Sequence, residues 1–123
     1  MTFSQLEDDV LVYPGTGGYN FTASGNILKG QGVVLADDFT VKVPSDSNSK
    51  LLGIALSNVT DNKKVCIYGP LNIVRCILSG SVSAGTKVGV IPEGYISPNA
   101  THKNAIVVKG TTTTGKGEIL ILW

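Results

Sequence analysis

The chain has 123 residues, a net charge of +1 at pH 7 and 15% charged residues, against roughly a quarter in ordinary globular domains. That is the length of one domain able to bury about two-thirds of its unfolded surface, and it is too poor in clustered Lys and Arg for a phosphate-backbone binder. No run approaches the ~20 apolar residues of a membrane span, and Met1 is followed by Glu7, Asp8 and Asp9 instead of a basic and apolar leader, so neither membrane nor secretory routing is expected.

Residues 1–26 differ from the rest. Phe3 and Leu6 are scattered among polar residues, Val10-Leu11-Val12-Tyr13 is a short apolar run, and Pro14-Gly15-Thr16-Gly17-Gly18 breaks it. Tyr19-Asn20-Phe21-Thr22-Ala23 then alternates before Ser24-Gly25-Asn26. Fixing about 20 backbones costs roughly 20–40 kcal/mol. Offsetting that at about 25 cal/mol per Å² needs on the order of 1,000 Å² of apolar burial, more readily found on a neighbour or by strand addition than on a small domain's own edge. The segment is therefore expected to be an extended N-terminal arm that orders on a partner through Phe3, Leu6, Val10, Val12, Tyr13, Tyr19 and Phe21. The blander alternative has Tyr19 and Phe21 completing the core of the body.

The body, residues 27–123, reads as a single β-domain. Predicted strands are Ile27-Leu28, Gly32–Leu35, Thr40–Val43, Leu51–Leu56, Lys64–Tyr68, Leu71–Leu78, Lys87–Val90, Tyr95-Ile96, Ala105–Lys109 and Glu118–Leu122. Turns fall at Asp37-Asp38, Pro44–Lys50, Asn58–Lys63 and Thr111–Gly117. Alternation is clearest from Leu71 to Leu78, where Leu71, Ile73 and Ile77 share a face with Arg75. No segment has the 3.6-residue periodicity and caps of a helix of ten residues or more. The class is all-β, a small barrel or sandwich. The closing run Glu118-Ile119-Leu120-Ile121-Leu122 is apolar on both faces, as a strand covered on both sides would be, and Trp123 is either a core plug or a subunit contact.

The body also contains one motif twice, about 55 residues apart. The first copy runs from Gly30-Gln31-Gly32-Val33-Val34-Leu35 through Leu52-Gly53-Ile54-Ala55-Leu56 to Lys64–Tyr68. The second runs from Gly85-Thr86-Lys87-Val88-Gly89-Val90 through Asn104–Val108 to Glu118–Leu122. Each is a three-stranded unit that cannot bury its apolar face alone, so the two must pack together. A pocketless body of this kind fits a structural or binding role.

Signals of chemistry are weak. Gly110-Thr111-Thr112-Thr113-Thr114-Gly115-Lys116-Gly117 approaches the phosphate-binding loop, yet Gly117 stands where Ser or Thr must hold magnesium, and a strand follows where a helix is required. It reads as a hairpin loop. His102 is the only histidine and has no companion ligands, and Asp8-Asp9 and Asp37-Asp38 lack a calcium-loop pattern. Cys66 and Cys76 flank the Gly69-Pro70 turn and read as buried free thiols, with a bridge as the alternative. No catalytic group, metal or cofactor is expected.

The order Gly30–Leu35, Leu52–Leu56 and Val65-Cys66-Ile67-Tyr68-Gly69 resembles the small capsid decoration (cement) proteins of tailed phages, with a second round at Ala84–Val90, Asn104–Val108 and Glu118–Ile121. The second copy departs by carrying Asn104-Ala105 where that family often has Gly. The resemblance implies a non-enzymatic protein on the exterior of a virion head. It would contact the major capsid protein, stabilise contacts between shell subunits and self-associate, with a trimer as one arrangement. Trp123 joins the arm residues as a candidate interface residue. Other virion parts, a head fibre base or tail subunit, are the near alternative. A small-barrel binder of single-stranded nucleic acid is more distant, because Lys63, Lys64, Arg75 and Lys87 are scattered and only Tyr68 lies near them.

Overall fold

The computed structural model describes residues 1–15 and 17–123. Val, Ile and Thr dominate runs punctuated by Gly, and these become β1 (Leu11–Tyr13), β2 (Gly18–Ala23), β3 (Gly32–Asp37), β4 (Thr40–Lys42), β5 (Gly53–Ala55), β6 (Lys64–Tyr68), β7 (Ile73–Leu78), β8 (Lys87–Val90), β9 (Ile96–Ser97), β10 (Ala105–Lys109) and β11 (Gly115–Ile121). Two short 3₁₀ turns, Phe3–Gln5 and Pro92–Gly94, complete the described elements, and the chain is all-β.

The duplication is deeper than the sequence motif. Strands β2, β4, β3, β5 and β6 close into a five-stranded barrel. In the larger sheet, pairing of β7 with β9 closes β7, β11, β10, β8 and β9 into a second ring. Every pairing has its counterpart. The first strand of each ring runs parallel to the third (β2 with β4, β7 with β9) and antiparallel to the fifth (β2 with β6, β7 with β11). The second strand pairs with the third and fourth, and the fourth with the fifth, in both rings. Even the isolated bridges match, Ile27 with Val59 and Val82 with Thr111.

Gly30 and Gly85 have φ of 89° and 90° at the same point of the two units. Each donates its N–H across to the fourth strand, to the carbonyls of Ala55 and Val107. The repeated unit is thus five-stranded. The three-stranded reading omitted its first strand, because β2 lies in the segment assigned to an arm, and its short third strand.

Each barrel has its own interior. In the first, Ala23, Ile27, Val33, Val41, Ala55, Val65 and Ile67 pack together. In the second, Val74, Cys76, Leu78, Val88, Val90, Ile96, Val107, Ile119 and Ile121 do so, joined by Val34, Leu51 and Ile54 from the wall of the first barrel. Along β7 the interior set is therefore Val74, Cys76 and Leu78, the alternate face to that of Arg75. The barrels meet without a gap: a methyl group at Gly32 would come within 2.8 Å of Val90 Cγ2 and 3.1 Å of Leu51 Cδ1.

The expected division into an arm of residues 1–26 and a body of residues 27–123 has no counterpart in the packing. β2 is a barrel strand and β1 pairs with β7. Val10 is completely buried within the second barrel's apolar cluster. Phe3 and Leu6 are buried too, Phe3 with its ring centroid 4.8 Å from that of Tyr95 and Leu6 against Gly30. The strap is pinned along its length. Arg75 donates to the Asp9 carbonyl at 2.6 Å, and Lys116 pairs with Asp8.

Asn72, fully buried, fastens the connection into β2 by accepting the Gly15 N–H at 2.7 Å and donating to the carbonyls of Gly17 and Gly69. The ordering cost is met within the chain, because the segment supplies a strand that the first ring needs for closure. Leu6→Ala should lower unfolding stability by about 2–4 kcal/mol, as burial of this residue in the same chain requires. Urea denaturation of the isolated protein would show it, whereas an unchanged midpoint would return the segment to a partner-dependent arm.

Candidate functional site

The two barrels differ at one end, and there the candidate surface lies. Inward-facing positions of the second barrel, Val74, Cys76, Val90 and Ile96, are sealed beneath the wall of the first. Their counterparts in the first barrel are Tyr19, Phe21, Leu35 and Val41. Val41 is sealed, Phe21 is half-buried, and Leu35 and Tyr19 are 58% and 63% exposed. Alternation along β2 and β3 carries the interior row outward until it emerges uncovered at the barrel mouth.

Two shallow hollows make up this mouth. One, of about 320 Å³, is lined by Phe21, Leu35, Asp38, Phe39 and Leu52. The other, of about 240 Å³, is lined by Leu35, Lys50, Leu51, Leu52, Pro70 and Trp123. They share Leu35 and Leu52, so they form one continuous apolar surface, the kind that marks a protein-docking face. Phe39 is 75% exposed, its ring 6.4 Å from Phe21. It sits in the tight β3–β4 turn at φ 48°, a left-handed conformation that a bulky residue adopts only under strain. Leu71, next to Pro70, is also exposed and left-handed, at φ 67°. Trp123 lies under the Lys50 ammonium, 3.8 Å from the ring centroid, and its carbonyl accepts from Asn104.

Of the interface residues proposed from sequence, the structure gathers Phe21 and Trp123 on this surface, with Tyr19 exposed at the same end of β2. Tyr13 is exposed at the β1 edge and Val12 is half-buried. Phe3, Leu6 and Val10 are withdrawn into the chain's own packing. Sequence reasoning missed Leu35, Phe39 and Leu52. The signal available for Phe39 was an aromatic residue directly after the Asp37-Asp38 turn, where polar residues or Gly are usual.

The remaining chemistry is sparse. Among the described residues no three of His, Cys, Asp and Glu come together as a metal cluster. His102 is on the surface, and Thr111 of the Thr-rich loop bridges to Val82 with β11 following directly. Arg75 faces Glu118 at 3.9 Å. Lys116 holds the exposed Asp8 carboxyl below the usual carboxylate range by a hydrogen bond and its charge. Asp8 therefore supports the strap above about pH 4 and ceases to do so as acid protonates it.

The two cysteines are unbridged. Cys66 stands on β6 of the first barrel and Cys76 inside the second, and burial pushes both thiols up, Cys76 far more. Because folding opposes ionisation of Cys76, the stability tied to its neutral form declines as pH climbs past the ordinary thiol value of 9.0. A thiol reagent should label Cys66 first and Cys76 only at the rate of global opening; equal rates would mean that β7 opens locally.

No family model matches the chain, and no curated protein matches it. A solved structure does. The N base of head fibre gp8.5 of bacteriophage phi29 aligns over 85% of this chain and 92% of that one, with a TM-score of 0.64 and 14% identity. The chain has the fold of a phage head-fibre base. At this identity the gp8.5 likeness concerns architecture, and the side chains of the open mouth are this chain's own.

Phe39→Asn tests whether that mouth is a surface or a core. Asn tolerates the left-handed backbone, so stability should hold or rise by up to about 1 kcal/mol, while retention on a hydrophobic-interaction resin falls. A loss of more than about 1 kcal/mol would instead show Phe39 acting as a core residue.

Proposed function

We propose that this chain is a non-enzymatic structural protein of a phage virion, carried on the exterior of the head. There it binds the major capsid protein and associates with further copies of itself. The observation that carries this reading is the fold shared with a head-fibre base across nearly the whole of both chains. The sequence resemblance to decoration proteins points to the same location. Two closed barrels, with an apolar surface left open at one end, suit a molecule that acts by being held against others.

The mechanism is multivalent capture. A modest contact per copy becomes durable when several must break together, and a protein that binds the assembled shell and not its separated subunits stabilises assembly by mass action. Within this reading decoration comes first, with the protein reinforcing contacts between shell subunits. A fibre base is the second reading, favoured by the gp8.5 architecture. It would use the same attachment without reinforcing the shell.

Co-sedimentation of the purified protein with bare, expanded heads tests the location: saturable binding to heads and none to separated capsid subunits is expected. Absence of binding to heads would defeat the proposal. Heat-induced DNA release then separates the two roles, because decoration raises the release temperature and a fibre base leaves it unchanged.

A further inference from the structure

The second barrel shows what covers such a mouth. Its open end lies beneath the outer wall of the first barrel, where Gly32 permits close approach and Leu51 reaches Val90's surroundings. If copies stacked in file, the corresponding wall of the second barrel would have to cover the first barrel's mouth on the next molecule. The register identifies that wall: Gly32 pairs with Ile54 as Lys87 pairs with Ile106, so Lys87 occupies the place of Gly32 and Lys103 that of Leu51. Both lysines are exposed. Seating two ammonium groups on Leu35 and Phe39 would strip them of water without a partner, which opposes stacking in file.

The mouth is, however, complementary to itself. Leu35 and Leu52 line both hollows and so mark its centre. Asp38 stands at the rim of one hollow with Phe21 and Phe39, and Lys50 at the rim of the other with Pro70 and Trp123. A two-fold axis close to Leu35 lays each half on the opposite half of a second copy. It sets carboxylate against ammonium at both rims and aromatic against apolar surface between them.

We propose that the open mouth of the first barrel pairs with the same surface of a second copy about a two-fold axis, Asp38 of each chain facing Lys50 of the other. The proposal rests on reading this mouth as a protein-docking face, and it names the occupant. A two-fold pair, in place of the trimer implied by the family resemblance, is what the rim charges fit. The pairing covers the strained Phe39 and leaves the Lys87 and Lys103 wall exposed for other contacts.

Sedimentation equilibrium of the full chain decides it. The wild type should be a dimer. Asp38→Lys and Lys50→Asp should each raise the dissociation constant about tenfold or more, by setting like charges together. The double variant, which restores opposite charges in exchanged positions, should return to within about threefold of the wild type. Leu35→Asp, at the proposed axis, should yield monomer.

Thermal unfolding checks that all four remain folded, as exposed substitutions should. A monomeric wild type, a species of more than two copies, single variants that pair normally or a double variant that fails to recover would each overturn the two-fold arrangement. Head co-sedimentation of the same proteins keeps the two ideas apart. Heads bound without dimerisation would remove this inference and leave head attachment standing, and dimers that ignore heads would do the reverse.

Discussion

The wall of one barrel closes the mouth of the other, and most of the structure follows from that contact. Five short strands enclose only a narrow interior, and a ring of that size has two ends through which water reaches its core. Val34, Leu51 and Ile54 turn outward from the first barrel to finish the second barrel's core, with Gly32 thinning the wall enough to let Val90 sit against it. A side chain at Gly32 would hold the barrels apart and open the second interior. The second barrel's core is completed by the first, whose own cluster uses only its own residues, although the two are built alike.

The same contact makes the duplicated units unequal. Positions that correspond by register have opposite fates: Val90 is sealed and Leu35 exposed, while Leu51 is buried and Lys103 is on the surface. A repeat whose copies stack leaves one terminal mouth and one terminal wall without an intramolecular neighbour. Here the wall is polar and the mouth apolar. Polar termini are the usual way in which stacked repeats stay soluble, so the apolar end points to association. That asymmetry is the observation on which the docking role proposed for the mouth rests.

The N-terminal strap belongs to the same logic. It lays Phe3, Leu6 and Val10 into the body, adds β1 to the edge of β7, and is bonded to Asn72 at Gly15 and Gly17 just before β2. A buried Asn that uses both its acceptor and its donors on backbone groups fixes Gly15 and Gly17 more tightly than apolar packing would, because leaving those groups unpaired would be costly. The N-terminal segment is thus an integral part of the double barrel.

Sequence alone determined the β class, the position of most strands and the existence of a duplication. Those properties reside in local signals: Val- and Ile-rich runs at period two, and Gly where the backbone must turn left-handed, as at Gly30 and Gly85. Strands β6, β8 and β10 fall where the pattern placed them. Sequence could not tell that Val10 is core and Leu35 is surface. Both are aliphatic residues in β-prone runs, and only the way the chain closes decides which one finds a neighbour. Ring closure recruited β2 from a segment that looked like an arm, and stacking assigned the lid to one mouth and withheld it from the other. Exposure of an apolar side chain is settled by contacts between residues far apart in the chain, and a one-dimensional pattern carries no record of them.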